Sequence, residues 1–238
     1  RSEGVPTDLA KNLVGRAALA LAQHAGIPPT GHVALHKVLP PGGGLGGGSS
    51  DAANALLALN IAWNLHLDES QLLALAARLG SDVPFFIRSQ SCLCTGLGEV
   101  LPPLPSPRPL FAVLLIPPEG CPTRDVYAAF DAGHQHPTRP EPSPAFTWPQ
   151  FAEKTADELN ALLVNDLEPA AFHVAPGLRS LRDRAANALR RPVHVTGSGS
   201  TLFTLCSSAA SADETQATLA AALGPDAFSL PVRILANV

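Results

Sequence analysis

The sequence predicts an α+β protein of two lobes, and three observations carry that reading. Apolar positions recur at helical spacing in some segments and alternate or run together in shorter ones, so helices are interleaved with strands and adjacent hairpins. A stretch from Leu101 to Pro109 holds five prolines and divides the chain into an expected first domain at 1–105 and a second at 106–238. Hydrophobic residues make up 46% of the 238 residues and charged residues only 15%, which suits packed cores and not a disordered chain.

Asp8 to Ala25 is predicted as the first helix: Leu9, Leu13, Ala17 and Leu21 share a face, Asp8 serves as N-cap, and Gly26 stops it before Pro28-Pro29. Val33 to Leu39 alternates like a strand. A glycine-rich loop follows and leads into a helix that runs to about Leu65. Asp68-Glu69-Ser70 caps another helix, which reaches Leu79. Gly80 and Pro84 bracket a turn, after which Val83 to Ile87 and Ser91 to Thr95 are expected to pair as short strands. In the second half, Leu110 to Ile116 is a continuous apolar run suited to a strand buried on both faces. A helix from Thr123 to Ala132 comes next, then a Pro-rich loop from His134 to Pro149, then helices at Phe151 to Leu163 and Pro176 to Leu189. Strands at Val193 to Thr196 and Thr201 to Cys206 flank Gly197-Ser198-Gly199-Ser200, and a helix through Leu223 and a strand from Phe228 to Ile234 close the chain.

Charge and composition exclude several function classes. The net charge is −4 with no long basic run, so no nucleic-acid partner is expected. No run approaches eighteen apolar residues and Arg1-Ser2-Glu3-Gly4 does not open a signal peptide, so no membrane partner and a cytoplasmic location are expected. A chain opening on Arg1 and not on Met is expected to have its natural start upstream. Cys92 and Cys94 are too close for an ordinary bridge, and neither they nor Cys121 and Cys206 form a Cys-x-x-Cys pair, so reduced structural thiols are expected. His32 and His36 share a strand face and His134 and His136 lie in the Pro-rich loop, with no third ligand at metal-binding spacing.

The run Pro40-Pro41-Gly42-Gly43-Gly44-Leu45-Gly46-Gly47-Gly48-Ser49-Ser50-Asp51-Ala52-Ala53 carries the chemistry, and six of its fourteen residues are glycine. Glycines accept positive φ and leave room for a ligand to approach their amides. The helix that follows leaves its first N–H groups unpaired and adds the positive end of its dipole. Together they predict a cradle for a nucleotide's phosphates. A Walker A loop is excluded, because Gly48 is followed by Ser49 and not by lysine. A dinucleotide pattern is formally present at Gly42, Gly44 and Gly47, but no second strand ending in an acidic residue follows at the right distance. A flexible linker is the plain alternative.

This loop resembles the ATP loop of the galactokinase, homoserine kinase, mevalonate kinase and phosphomevalonate kinase superfamily. Gly80-Ser81-Asp82-Val83-Pro84-Phe85-Phe86 is similar to the Gly-Ala-Asp-Val-Pro segment of the 4-diphosphocytidyl-2-C-methyl-D-erythritol kinases within it. Thr196-Gly197-Ser198-Gly199-Ser200 resembles the superfamily's third glycine motif, and Asn12-Leu13-x-x-Arg16-Ala17-Ala18 and Asn165-Asp166-Leu167-Glu168 also match. That family opens with a Pro-Ala-Lys-x-Asn strand and a Tyr-His pair. Neither occurs here, so the resemblance implies a two-lobed fold of this superfamily with an incomplete N-terminal lobe and a ferredoxin-like C-terminal lobe.

The resemblance implies ATP and Mg2+ as cofactors. It also implies phosphorylation of the 2-hydroxyl of a small molecule, cytidine diphosphate methylerythritol, in non-mevalonate isoprenoid synthesis. Asn12, Lys37, Pro40, Pro41, Gly42, Gly43, Gly44, Leu45, Gly46, Gly47, Gly48, Ser49 and Ser50 would bind ATP, with Asn12 and Lys37 lining the adenine site. Asp82 would be the catalytic base; Pro84 and two phenylalanines are expected to enclose it, and a turn-capping aspartate is the ordinary alternative. Thr123, Tyr127, Gly197, Ser198 and Gly199 would join Asp82 in binding substrate, Tyr127 by stacking on cytosine; a core tyrosine and a hairpin turn are the respective alternatives. Ser49 and Ser50 offer hydroxyls to phosphate or Mg2+, whereas Asp51 repels phosphate unless a cation intervenes. Two further functions stay open: a sister kinase acting on mevalonate or homoserine, and a nucleotide-binding chain without catalysis.

Overall fold

The computed structural model describes residues 8–133 and 151–235, so the expectations for the loop from His134 to Pro149 lie outside the described residues. These residues divide into two compact units, one of 8–41 and 46–104 and the other of 42–45 and 105–235.

The first unit is helical. It contains α1 (Leu13–Ala25), α2 (Gly47–Ala62), α3 (Glu69–Leu79) and α4 (Val83–Arg88). Leu21, Ala52, Leu56, Leu75 and Val83 meet in its core, all almost fully buried. The first helix starts later than expected. Asn12, not Asp8, is the N-cap, its Oδ1 accepting the Val14 amide at 2.9 Å. Residues before it fold back over the first turn so tightly that a Cβ at Gly15 would lie 2.3 Å from the Leu9 carbonyl oxygen. Asp8 closes that turn instead, accepting the Ala10 amide. The expected cap at Asp68 is present as a reciprocal box with Gln71.

Two strand expectations fail in this unit. Residues 33–39 keep their alternation, with Leu35, Lys37 and Leu39 half-buried between exposed neighbours, but pair with no strand among the described residues. Val83 to Ile87 is helix α4. A five-residue apolar run has no period long enough to tell strand from helix, and a proline in the first helical turn costs no hydrogen bond. Ser91 to Thr95 therefore cannot pair with it, and forms bridges from Cys92 to Pro103 and from Thr95 to Val100 instead.

The second unit holds a four-stranded antiparallel sheet of β1 (Leu110–Ile116), β2 (His194–Val195), β3 (Leu202–Cys206) and β4 (Phe228–Ile234), in the order β2-β3-β1-β4. Its helices are α5 (Thr123–Gly133), α6 (Ala156–Leu162), α7 (Glu168–Val174), α8 (Pro176–Leu189) and α9 (Ala209–Leu223). The central strand β1 is covered on both faces, which explains its unbroken apolar run. Val113 and Leu115 join a core with Val126, Phe172, Leu181 and Leu219, while Leu110 and Ala112 pack with Ala156 and Leu159 of α6. β4 lies at the edge, where Pro231, opposite Val113, is tolerated. This order, with helices after β1 and β3, is the ferredoxin-like arrangement. Helix α7 is not among the expected elements, and the helix expected from Phe151 is interrupted: Phe151 and Ala152 are helical, residues 153–155 are not, and α6 starts after the Thr155 cap.

β2 is only two residues long, and the buried side chain of Asn160 replaces its continuation, accepting the Leu205 amide at 2.9 Å and donating to the Leu205 carbonyl at 3.0 Å. The Asn160 carbonyl in turn accepts from His194 Nε2 at 2.9 Å. Burial pushes the His194 pKa below the ordinary histidine range, against the smaller opposing effect of that hydrogen bond. Between the folded value and about 6.5 the unfolded chain binds the proton and the folded chain does not, so stability rises with pH through that window. Urea unfolding between pH 5 and 7 is expected to show this slope, and His194→Gln to flatten it.

Candidate functional site

In the first unit, four separated stretches of sequence meet around the start of α2. Its N-cap is Gly46 at φ 65°, and no side chain caps it. Ser50 N–H donates back to the Gly46 carbonyl, which leaves the amides of Gly47, Gly48 and Ser49 directed out of the helix end without a partner among the described residues. Leu13, at the start of α1, lies 3.4 Å from where a Gly48 Cβ would stand. Lys37 Nζ lies 3.4 Å from the corresponding Gly47 position, and Phe86 of α4 would be 2.7 Å from a Gly46 Cβ. Glycine is a steric requirement at Gly46, where φ is positive and the Phe86 ring stands in the way, whereas at Gly47 and Gly48 a Cβ would meet only ordinary contact. An uncapped helix end with open amides fits phosphate.

Lys37 and Asp51 form an ion pair at 2.5 Å, the lysine side chain being 13% exposed and the aspartate 30%. Lys37 is therefore not a lysine solvated at the end of an extended segment. The Lys37 cation would offset the repulsion between the Asp51 carboxylate and a phosphate bound at this helix end. Asn12 spends its side-chain oxygen on the α1 cap, one residue before Leu13. Among the described residues no cluster of three or more His, Cys, Asp or Glu side chains could hold a metal ion. Near the loop the half-buried hydroxyls of Ser49 and Ser50 and the Asp51 carboxylate would be available to Mg2+, a set that suits an ion bound mainly through phosphate oxygens and water.

Asp82 occupies the N-cap position of α4, but its side chain makes no capping hydrogen bond. It is exposed, while Val83 and Pro84 are buried. Both expectations about its surroundings are thereby corrected. The rings of Phe85 and Phe86 pack edge-to-face on each other at 5.1 Å and do not enclose the carboxylate, and the turn-capping alternative lacks its hydrogen bond.

In the second unit, Gly42 to Leu45 lies against the loop between β2 and β3. The Thr196 hydroxyl donates to the Gly44 carbonyl at 2.8 Å, and the Thr201 amide to the Gly43 carbonyl at 3.1 Å. A Cβ on Gly44 would sit 2.3 Å from the Thr196 oxygen. Gly197 to Gly199 is thus more than a hairpin turn, because its backbone is the surface on which the first half of the glycine run rests. The Ser198 hydroxyl is 2.9 Å from that of Thr123, the first residue of α5. Tyr127, one turn further, is 51% exposed and so is not a core residue. Pro40 and Pro41 are exposed on the approach to the loop.

Asn165 fixes this arrangement from below, its Nδ2 donating to the Val195 and Gly197 carbonyls at 2.8 Å each. The Asn-Asp-Leu-Glu match singled it out without giving it a task. Thr196 and Phe86 lie inside motifs already singled out, but their contacts with the glycine run, and that of Thr201, were not expected.

The N-terminal domain model of the GHMP kinases matches residues 12–90, and the C-terminal model residues 149–225. A 4-diphosphocytidyl-2-C-methyl-D-erythritol kinase from Nocardioides sp. is 41% identical over 215 residues, which cover 90% of this chain and 72% of that protein. The chain belongs to this kinase family. A second relative of that name, from Mycolicibacterium gilvum, is 37% identical over 93% of the chain and 70% of its own length. A crystal structure of a 4-(cytidine 5'-diphospho)-2C-methyl-D-erythritol kinase superposes with a TM-score of 0.72 at 33% identity, covering 98% of this chain and 82% of that one. A homoserine kinase from Cytophaga hutchinsonii reaches 0.74 at 19% identity, covering 99% and 79%, and shows the shared fold. The family is one of small-molecule kinases, and no helix among the described residues is long and apolar enough to cross a membrane.

Proposed function

We propose that this chain transfers the γ-phosphoryl group of ATP, with Mg2+, to the 2-hydroxyl of 4-(cytidine 5'-diphospho)-2-C-methyl-D-erythritol. The observation that carries the reading is the uncapped start of α2, whose open amides follow directly on the glycine run in a kinase-family chain. Phosphoryl transfer needs little covalent help from protein, so positioning and charge neutralisation supply most of the catalysis. Gly42 to Gly48 and the amides at the start of α2 hold the phosphates, and the Ser49 and Ser50 hydroxyls are available to phosphate or metal. Mg2+ would neutralise charge on the phosphate oxygens. Asp82, exposed and free of a cap, takes the proton of the attacking hydroxyl. Thr123 and Ser198 present paired hydroxyls to the substrate and Tyr127 an exposed ring face.

Turnover of labelled ATP with the cytidylated alcohol, mevalonate and homoserine, each offered separately, tests the assignment. The cytidylated compound is expected to be the preferred acceptor; faster transfer to mevalonate or homoserine would overturn it. A companion measurement concerns Lys37. Lys37→Met leaves the Asp51 carboxylate uncompensated beside the phosphates and is expected to raise KM for ATP about tenfold, with most of the loss recovered in Lys37→Met/Asp51→Asn.

A further inference from the structure

The segment after α4 carries two thiols that the phosphate chemistry leaves unused. Cys92 and Cys94 lie on one side of an extended stretch with their sulfur atoms 3.6 Å apart; Cys94 is exposed and Cys92 half-buried. The other two thiols, Cys121 and Cys206, are fully buried in the second unit. The stretch is one arm of a hairpin. The Leu93 amide donates to the Pro102 carbonyl at 3.1 Å, the Thr95 amide to the Val100 carbonyl at 3.0 Å and the Leu104 amide to the Ser91 carbonyl at 2.8 Å. At its tip, Gly98 is packed so closely on the residue preceding Asp82 that a Cβ there would lie 2.4 Å from the Ser81 carbonyl oxygen.

We propose that Cys92 and Cys94 are a reversible oxidation site, closed to a disulfide by a peroxide, and that closure loosens the hairpin resting on Ser81. The sulfur of Cys94 attacks one peroxide oxygen; the O–O bond breaks, that sulfur is oxidised to a sulfenic acid, and the other oxygen leaves as water. The Cys92 sulfur then attacks the sulfenic sulfur, the S–O bond breaks and a second water leaves with the Cys92 proton. Two thiols and one hydrogen peroxide thus give one disulfide and two waters. The division of labour follows from access: the exposed thiol meets the oxidant, and the half-buried one stays a protonated, poorly nucleophilic thiol, burial and its neighbour pushing its pKa up to about 11.

The closed form is not an ordinary bridge, because two cysteines this near in sequence close only at a geometric cost, and the exposed Cys94 is not the structural thiol expected from the sequence. Extended residues two apart place their Cα atoms about 6.6 Å from one another, near the upper limit of about 6.8 Å for a bridge, so Leu93 must bend as the sulfurs close from 3.6 Å to about 2.0 Å. That bend pulls the Leu93 and Thr95 amides off their cross-strand carbonyls.

The test is made on the whole reduced chain, treated with hydrogen peroxide under native conditions, then quenched. Intact mass is expected to fall by two hydrogens, peptide mapping to place the link between Cys92 and Cys94, and dithiothreitol to reverse it. Hydrogen exchange at the Leu93 and Thr95 amides is expected to accelerate about tenfold in the oxidised form, with a smaller rise at Val83, whose amide donates to Gly80 beside Ser81. Cys92→Ser is expected to abolish the mass loss and leave Cys94 oxidised to the sulfinic acid. Separate oxidation of the two sulfurs in the unsubstituted chain would overturn the site. Formation of the link with exchange unchanged would overturn its effect on the hairpin. Neither readout depends on the phosphoryl acceptor.

Discussion

Asp82→Asn is expected to lower kcat about a thousandfold while leaving the folded chain intact. The two roles open to this residue respond differently to the change. Asparagine is as good an N-cap as aspartate, so a capping role would survive the substitution. A general base would not, because the amide cannot take the hydroxyl proton. The carboxylate is exposed and makes no capping hydrogen bond to α4, so little folding free energy is at stake. Single-turnover phosphoryl transfer and thermal unfolding, measured on the same preparation, separate the two readings. An unchanged rate would remove Asp82 from the chemistry, and a lowered melting temperature would assign it a structural task.

The largest stability effect is expected at Gly44. Its φ is 71°, a conformation that costs an L-residue about 1–2 kcal/mol by itself. A methyl group there would also stand 2.3 Å from the Thr196 carbonyl oxygen and 2.7 Å from that of Gly199. Both obstacles are backbone, so no rotamer change relieves them. Gly44→Ala is expected to destabilise the second unit by about 3 kcal/mol or more, and to displace the first half of the glycine run, raising KM for ATP. Gly177→Ala is the control. Position 177 lies in α8 with nothing within 4 Å of the added carbon, and its change is expected to stay within about 1 kcal/mol in urea unfolding.

Features written in short-range chemistry could be read directly from the sequence. The Asp68 cap, the stop at Gly26, the uncapped glycine entrance to α2 and the doubly covered strand β1 each follow from a few adjacent residues. Where the outcome depends on what packs alongside, the reading failed. The apolar run after Asp82 suits strand and helix equally, and Pro84 tips it to helix only because the first turn has no hydrogen bond for a proline to remove. Residues 33–39 carry a strand's alternation, but a strand is defined by a neighbour, which alternation does not supply. The site divides in the same way. The uncapped start of α2 was legible in its glycines. The Lys37–Asp51 pair and the seat of Gly44 on Thr196 join residues far apart in sequence, and no local pattern records them.

One placement in the sheet bears on how this chain behaves at high concentration. Pro231 sits at the middle of the outermost strand, and a proline nitrogen has no hydrogen to give. An incoming strand from another molecule would find the row of donors along that border interrupted at its centre. The border is thereby a poor template for edge-to-edge growth, a protection obtained with one residue.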